Sequence, residues 1–453
     1  MIPIPMMRTS GLQLAVLAGA VLSTAPLRAQ TSTPNDGARP VTLVEAIALA
    51  QRNSPAVVLA RGLDRTADAS RKQARGAFFP SLNLTASSGR TAGTTINNFN
   101  GELTRLSGNP WSYGNGMGLQ LELFDGGRRF SEINRLRAVA DVADISALSA
   151  RFDASLQVKQ QFYAALAARE SEAAARSQLE QAEQQLKASS ARVTAGVATK
   201  SDSLRSAIQV GNAQLAVLTS QNDLRVANAA LTRVTGSEVE ITASPSDTMH
   251  TQLALPSEAE LETFVNDGPA VRLAQSNVSV TRAAKRTQRA AYLPTLGMSY
   301  NYNFSQNSAG FAGGNLILVG GKNASRQTVN FNLSYPVFNG FTREANTVQA
   351  DVALTNAEAQ LRDARLAARQ NLTSFLRLVE NAQARVQVQL SAIAAAEEDL
   401  RVQQQRYALG ASTLLDLLTS QTQLTQARQA LIQARLDGRI ARAQLSSLIG
   451  REL

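Results

Sequence analysis

The feature that most constrains this chain is a helical pattern over residues 340–416 that contains no proline and is broken once, by a turn. Every seventh position carries a large side chain, in the series Leu372, Val379, Val386, Ile393, Leu400 and Tyr407. A seven-residue repeat keeps its seam on one side of a slightly underwound helix, which is the pattern of a coiled coil. Ala, Gln, Arg and Glu lie between the seam positions, so one side admits close approach and the other meets water. At 1.5 Å per residue, 340–406 makes a rod of about 100 Å, longer than any single compact domain needs. The pattern stops at Ala408-Leu409-Gly410-Ala411-Ser412 and resumes near Thr413 with Leu417, Leu424 and Leu431, again seven apart, so the rod turns back on itself.

The same organisation occurs twice. Phe79-Pro80-Ser81-Leu82 returns as Leu293-Pro294-Thr295-Leu296, an offset of 214 residues between Pro80 and Pro294. Leu123-Phe124-Asp125-Gly126 maps onto Val337-Phe338-Asn339-Gly340, Gly196 onto Gly410, Asp202 onto Asp416 and Gly236 onto Gly450 at that same offset. Gly, Pro and Asp set turns and caps, so their coincidence at one spacing marks a duplicated unit. The layout read from it is a signal peptide over 1–29, an extended leader over 30–41, a first repeat over 42–236, a polar linker over 237–256 holding Pro245, His250 and Pro256, and a second repeat over 257–453. Thr42 with Glu45 is a capping-box signature for a short helix ending before Ser54-Pro55, and a second helix follows to about Phe79, where Pro80 stops it.

Arg8, the apolar stretch 12–22 and Leu27-Arg28-Ala29 before Gln30 read as an export signal. The absence of cysteine excludes disulfides, thiolate nucleophiles, sulfur-ligated metals and a lipid-modified amino-terminal cysteine. Removing Arg8 and Arg28 lowers the formal charge from +10 to +8, but the basic residues are spread among acids and glutamines along helices, so they read as solvated faces and not as a nucleic-acid surface. After the signal no apolar run reaches the eighteen residues of a membrane helix, so any membrane entry has to be made by strands.

Strand-like alternation occurs where it is needed. Leu296, Met298, Tyr300, Tyr302 and Phe304 alternate with small or polar residues, as do Val329, Phe331, Leu333, Tyr335 and Val337. Leu82, Leu84 and Ala86 form the matching face in the first copy, with Leu119, Leu121 and Leu123. The connecting stretches 89–111 and 306–326, rich in Gly, Asn and Ser, read as flexible exposed loops. One strand face suits lipid and the other water. Four strands cannot close, and each unpaired backbone group in lipid costs several kcal/mol, so the chain is expected to oligomerise, to eight strands from two copies or twelve from three. Two short helices laid end to end nearly match one long helix, which puts all four strands at one end of a rod and both turns at or below its middle.

In their order and equal spacing, the signal, the duplicated unit, the Pro-Ser-Leu and Phe-Asp/Asn-Gly junctions, and the turn from Tyr407-Ala408-Leu409-Gly410 to Asp416 resemble the TolC-like outer-membrane efflux proteins, the outer membrane factors. The resemblance implies a mainly α fold with membrane β: a homotrimer with a twelve-stranded β-barrel in the cell outer membrane, continued into the periplasm by an α-helical barrel. It implies the exit duct of a tripartite efflux or type I secretion system. The partners would be a periplasmic adaptor (membrane fusion) protein, an inner-membrane pump and outer-membrane lipid, with no cofactor. It carries adaptor contact to the helix-turn tips, Gly196, Val197, Ala198 and Thr199 in one and Tyr407, Gly410, Ala411, Ser412 and Thr413 in the other, and the pore entrance to Asp202 and Asp416. Some relatives carry an arginine where this chain has Ser412. The plainer reading of both aspartates is that they sit in first helical turns, where a carboxylate favours the helix dipole. Leu296, Met298, Tyr300, Tyr302, Phe304, Val329, Phe331, Leu333 and Tyr335 are the expected lipid-facing set.

Catalysis finds no support in the sequence: the single histidine lies in the linker, and no nucleophile and base are paired in a motif. Gly114-Asn115-Gly116-Met117-Gly118 feeds a strand and lacks phosphate-loop spacing. Asp125-Gly126 and Asn339-Gly340 read as structural swivels between strand and helix. The alternative to a duct is an exported coiled-coil scaffold or binding protein without a pore, its alternating segments being soluble hairpins.

Overall fold

The computed structural model describes residues 38–90, 93–99, 102–108, 111–244, 256–307, 310–312, 315–317 and 324–452. The expected signal peptide and His250 lie outside the described residues. β1 (Arg39–Val41) ends the leader; the first repeat runs α1 (Leu43–Asn53), α2 (Pro55–Gly76), β2 (Ser81–Arg90), β3 (Gly93–Phe99), β4 (Glu102–Gly108), β5 (Trp111–Phe124), α3 (Arg128–Thr194) and α4 (Lys200–Thr235), followed by β6 (Ile241–Ala243) in the linker. The second runs α5 (Glu258–Asn266), α6 (Pro269–Arg289), a 3-10 turn (Ala290–Tyr292), β7 (Thr295–Asn307), β8 (Gly310–Ala312), β9 (Asn315–Ile317), β10 (Ala324–Ser334), α7 (Thr342–Ala408) and α8 (Leu414–Ile449). The duplication survives to the residue: α3 and α7 are each 67 residues, α4 and α8 each 36, and both pairs start 214 positions apart.

Each long helix, about 100 Å from its residue count, is flanked by its own short helices, α2 and α4 along α3 and α6 and α8 along α7. The heptad seam is the face so covered: Leu372, Val379 and Leu400 are buried, and Leu417, Leu424 and Leu431 of α8 are buried with them. Val386, Ile393 and Tyr407 are half-buried. Polar pairs bridge the flanks of the α7–α8 hairpin, Arg385 to Asp437 at 3.1 Å and Arg428 to Glu397 at 2.9 Å. Among the described residues no helix is long and apolar enough to cross a membrane.

The described ends of the leader and the linker are tied together: β1 pairs in parallel with β6, Arg39 opposite Ile241, and Val41, Ile241 and Ala243 join Val158, Phe162 and Leu231 in one core. Arg169 holds this ribbon, donating to the Ala243 carbonyl at 2.5 Å and to Thr242 Oγ1 at 3.0 Å. The stretches read as loops hold two antiparallel hairpins, β3 with β4 and β8 with β9. At the opening helix the capping box is half made. Thr42 Oγ1 accepts from the Glu45 amide at 3.3 Å, but the Glu45 carboxylate turns to Arg39 at 2.5 Å.

The four main strands form one antiparallel sheet in the order β10-β7-β5-β2. Its register aligns apolar residues into one row across all four strands, Leu82–Leu119–Tyr300–Val329, with Leu121–Met298–Phe331 on one side and Leu84–Met117–Tyr302, which ends on Gln327, on the other. A register shift between Glu122 and Phe124 sets Phe124 opposite Leu296, which also faces Leu333. The intervening rows, such as Asn83–Gly118–Asn301–Thr328 and Ser81–Gln120–Ser299–Asn330, are polar. Alternate residues point to opposite faces, so the sheet has one apolar and one polar surface. Phe304 extends the apolar face into a mixed row, opposite Asn115. Tyr335 falls just past the end of β10 and is exposed beside the ladder.

Candidate functional site

Two features have functional geometry, the polar face of the sheet and the paired helix turns. On the polar face, the Gly-Asn-Gly-Met-Gly run of β5 makes room for its neighbours. A Cβ at Gly116 would meet Thr85 Oγ1 at 2.6 Å and Asn303 Oδ1 at 3.0 Å, and one at Gly114 would meet Ser87 Oγ at 2.9 Å. Thr85 and Ser87 lie over these glycines and donate to the Gly116 and Gly114 carbonyls, each at 3.4 Å. At the foot of the sheet a cleft of about 640 Å³ is lined by polar residues, among them Gln73, Ser81, Gln120, Glu122 and Asn330, and by apolar ones, among them Phe79, Pro80, Leu121 and Met298. The single charge in that set is met by Arg128 at 3.0 Å. Neutral amides and hydroxyls can pass polar solutes but place no nucleophile beside a base.

Below the sheet, strand hands over to helix at an anchored junction. Asp125 is 4% exposed. Its Oδ1 accepts from the Gly127 amide at 3.1 Å, and its Oδ2 from the Arg129 amide at 2.8 Å and Arg129 Nε at 3.0 Å. Arg129 also donates to the Ala77 carbonyl at 3.2 Å and stacks 4.9 Å from the Phe78 ring. The carboxylate thus caps α3 and fixes α2 against it, which is more than the swivel read from the sequence.

At the other end both turns close in the same way. Gly196 (φ 75°) and Gly410 (φ 73°) take the left-handed conformation that lets Val197 N donate back to Arg192 O at 3.0 Å and Ala411 N to Arg406 O at 2.8 Å. Thr199 and Thr413 then cap α4 and α8. Asp202 Oδ2 accepts from Thr199 N at 3.1 Å and Oγ1 at 2.8 Å; Asp416 Oδ2 accepts from Thr413 N at 2.9 Å and Oγ1 at 2.7 Å. Both carboxylates therefore complete capping boxes, and the Thr413 bonds hold the Asp416 carboxyl below the usual aspartate range. Ser412 Oγ reaches the Gln403 carbonyl at 3.5 Å, closing its own turn. Leu409, 85% exposed, and Val197 stand out from the tips.

The two tips meet through a residue that the sequence reading passed over. Arg192, in the last turn of α3, donates to the Tyr407 carbonyl at 2.8 Å and the Ala408 carbonyl at 3.3 Å, and its guanidinium lies 4.8 Å from the Tyr407 ring. It caps the carbonyl end of the neighbouring long helix, where a cation also complements the dipole. Burial pushes the Tyr407 hydroxyl to a higher pKa, with Arg192 opposing and Asp202 reinforcing the shift. The Tyr407 hydroxyl, Arg192 Nε and Gln403 Oε1 are buried without a hydrogen-bond partner. The one available signal was an arginine four residues before Gly196, which equally fits a helix capping its own end.

The family model of the outer membrane efflux protein matches residues 46–237 and again 264–451, one match per repeat. Protein CyaE of Bordetella pertussis is 27% identical over 406 residues, 87% of this chain and 81% of that protein. Outer membrane protein TolC of Escherichia coli is 23% identical over 239 residues, about half of each chain at 51% and 48%. The fold matches that of CusC with a TM-score of 0.75 at 16% identity, covering 91% of this chain and 94% of that one. It matches the open-state MtrE channel of Neisseria gonorrhoeae with a TM-score of 0.71 at 19% identity, covering 90% and 89%. With both repeats matched, the register of the sheet and the paired tips on the page, the chain belongs to the outer membrane efflux protein family and has the TolC-like channel fold.

Proposed function

We propose that this chain is the exit duct of a tripartite efflux or type I secretion system, spanning the outer membrane as a trimer and reaching through the periplasm to an adaptor and an inner-membrane pump. The observation that carries the reading is the sheet: apolar rows on one face, mainly uncharged polar rows on the other with Glu122 and Arg326 as their charges, and, among the described residues, no strand paired to the outer edge of β2 or β10. Such a sheet suits lipid only when closed into a barrel, and three copies of four strands make twelve. The duct performs no chemistry; the pump supplies the energy and chooses the cargo. Its wall is mostly Asn, Gln, Ser and Thr, with Arg326 and Glu122 as its charges and Glu122 met by Arg128, and it lets polar solutes pass. The exposed tips, Gly196 to Thr199 and Tyr407 to Thr413, dock the adaptor.

The entrance is assigned to Asp202 and Asp416, two carboxylates per copy and six around one opening. Like charges at a constriction attract cations and repel anions. The caps do not conflict with this role, because a carboxylate fixed by its own threonine keeps its charge and a defined position. The Arg192–Tyr407 contact, with polar atoms left unpaired around it, is the joint at which one tip moves against the other when the entrance opens.

Single-channel recording tests the assignment. Alanine at both Asp202 and Asp416 is expected to abolish cation preference, while each helix keeps its threonine cap and loses only the returning carboxylate bonds. Because Asp416 is held below the ordinary aspartate pKa by Thr413, its share of the preference and of the cap is present at neutral pH. The charge, and with it the ion preference, persists below the usual aspartate range and is lost as pH falls through the lowered value, whereas the stability share is full above the usual range and erodes from there down to the lowered value. A double variant with wild-type conductance, ion preference and export would reduce both aspartates to caps. A detergent mass of one or two chains would sink the trimer.

A further inference from the structure

The helix pairs that carry the sheet have different charge patterns in the two repeats. α2 runs into β2 and α3 follows β5; α6 runs into β7 and α7 follows β10. In the second repeat two ion pairs cross from α6 to α7, Arg282 to Glu358 at 3.6 Å and Lys285 to Asp351. The positions 214 before these residues hold Asp68 and Asp144 in place of the first pair, and Arg71 and Arg137 in place of the second. Where the second repeat sets unlike charges across its seam, the first sets acid against acid and base against base.

The bases find partners on their own helices, Arg71 on Asp68 at 3.3 Å and Arg137 on Asn134 at 3.2 Å. The acids gather. Asp64 of α2 lies in hydrogen-bonding contact with Asp144, and the charges acting on Asp144 are those of Asp64, Asp68 and Asp141, all negative, with none from α1, α4, α6 or α8. α6 also packs on α3, but its Arg282 and Lys285 are engaged by α7. The buried apolar contact at this seam is alanine alone, Ala67 with Ala140 and Ala143. Asp64 is half-buried and the other three acids are exposed. Partial desolvation, then the contact with Asp64 and the neighbouring charges, hold the Asp144 carboxyl above the usual aspartate range. Two ionised carboxylates repel at such a contact, whereas one proton between them makes a hydrogen bond.

We propose that the α2–α3 seam is an acid-closed clamp beneath the sheet. At neutral pH, repulsion among Asp64, Asp68, Asp141 and Asp144 holds α2 loosely on α3. In acid the Asp64–Asp144 pair takes up one proton from solvent, and the protonated carboxyl donates it to the other carboxylate. A carboxyl raised by folding adds stability that is full below the usual aspartate range and is lost as pH rises through the raised value, so the clamp is shut in acid and open at neutrality. The α6–α7 seam gains nothing from a proton, because Glu358 and Asp351 must stay ionised to hold Arg282 and Lys285. Acid therefore stiffens the support of β2 and β5 and not that of β7 and β10.

Hydrogen exchange of the full chain in detergent, corrected for the intrinsic pH dependence of exchange, reads the two seams side by side. On going from neutral pH to the usual aspartate range, residues 55–76 of α2 are expected to become about two- to fivefold more protected, the size that exposed charge pairs carry. Residues 269–289 of α6 should gain no protection. Added salt at neutral pH should protect α2 in the same direction, by screening the repulsion, and should not protect α6. Asp144→Asn is expected to hold α2 at its acid-state protection at every pH. Asp68→Arg supplies the partner that Glu358 has in Arg282, so it should raise the protection of α2 at neutral pH and remove the further rise in acid. The wild-type comparison of α2 with α6 stands even if a variant fails to fold. Loss of protection in α2 on acidification, equal changes in α2 and α6, or an unaltered pH response in Asp144→Asn overturns the clamp.

Discussion

The first turns of α3 and α7 occupy equivalent places in the two repeats and are held by different means. In α3 a buried Asp125 carboxylate caps the helix and pairs with Arg129, which stacks on Phe78. In α7 the counterpart of Asp125 is Asn339, Arg343 stacks 4.5 Å from Tyr292, and Arg343 turns to Glu344 at 3.3 Å. Gly127 becomes Phe341, which keeps the left-handed backbone at φ 62° and leaves its ring 69% exposed against Phe338. In the first repeat the desolvated charge is matched by Arg129 and by backbone amides. In the second the equivalent place holds a neutral amide and exposed aromatic rings. Duplication thus preserved the backbone and let burial decide the side chains.

The largest effect that sharpens this contrast is expected at Asp125. Asp125→Ala strands the Arg129 guanidinium and removes the α3 cap, at about 3–5 kcal/mol. Asn339→Ala should cost under about 1 kcal/mol. Denaturant unfolding followed by helical signal compares them, and equal costs would mean that the two junctions are energetically alike despite their geometry.

A smaller effect separates the two faces of the sheet that both repeats build. Lysine at Tyr300, in the row with Leu82, Leu119 and Val329, should destabilise the assembled barrel by about 2–4 kcal/mol near the bilayer midplane. Lysine at Asn301, on the polar face, should be tolerated. Similar losses at both positions, scored as folded oligomer in membranes, would contradict the assignment of faces.

The smallest effect is expected at the tips. Arg192→Ala loses charge-assisted bonds to the Tyr407 and Ala408 carbonyls, about 1.5–3 kcal/mol before allowance for its partial exposure. Channels of this variant should open more often in planar bilayers. Arg406 is the repeat counterpart of Arg192, so if Arg406→Ala opens the channel as much, both tips are tied alike and the asymmetry ends at the entrance.

What was legible in the sequence was what neighbours in the chain decide. The 67-residue helices, the glycine-ended turns, the Thr–Asp caps and the alternating strands all rest on interactions within a few residues or on one periodicity, and the 214-residue repeat located them twice. Even Asp202 and Asp416 were readable as caps, because the partner threonine is three residues away. The tertiary structure decided the contacts whose partners lie far apart in the chain. The β1–β6 ribbon joins residues on either side of the whole first repeat, and three-residue strands carry too little pattern to be seen alone. Arg192 reaches carbonyls more than two hundred positions away, and carbonyls belong to every residue, so no side-chain motif announces them. The β5 glycines are small because Thr85, Ser87 and Asn303 need the space, a reason supplied only by neighbouring strands. The same holds for Gly126: its spacing was visible as a turn, but the carbonyl of Ala290 that forbids a Cβ there comes from the other repeat.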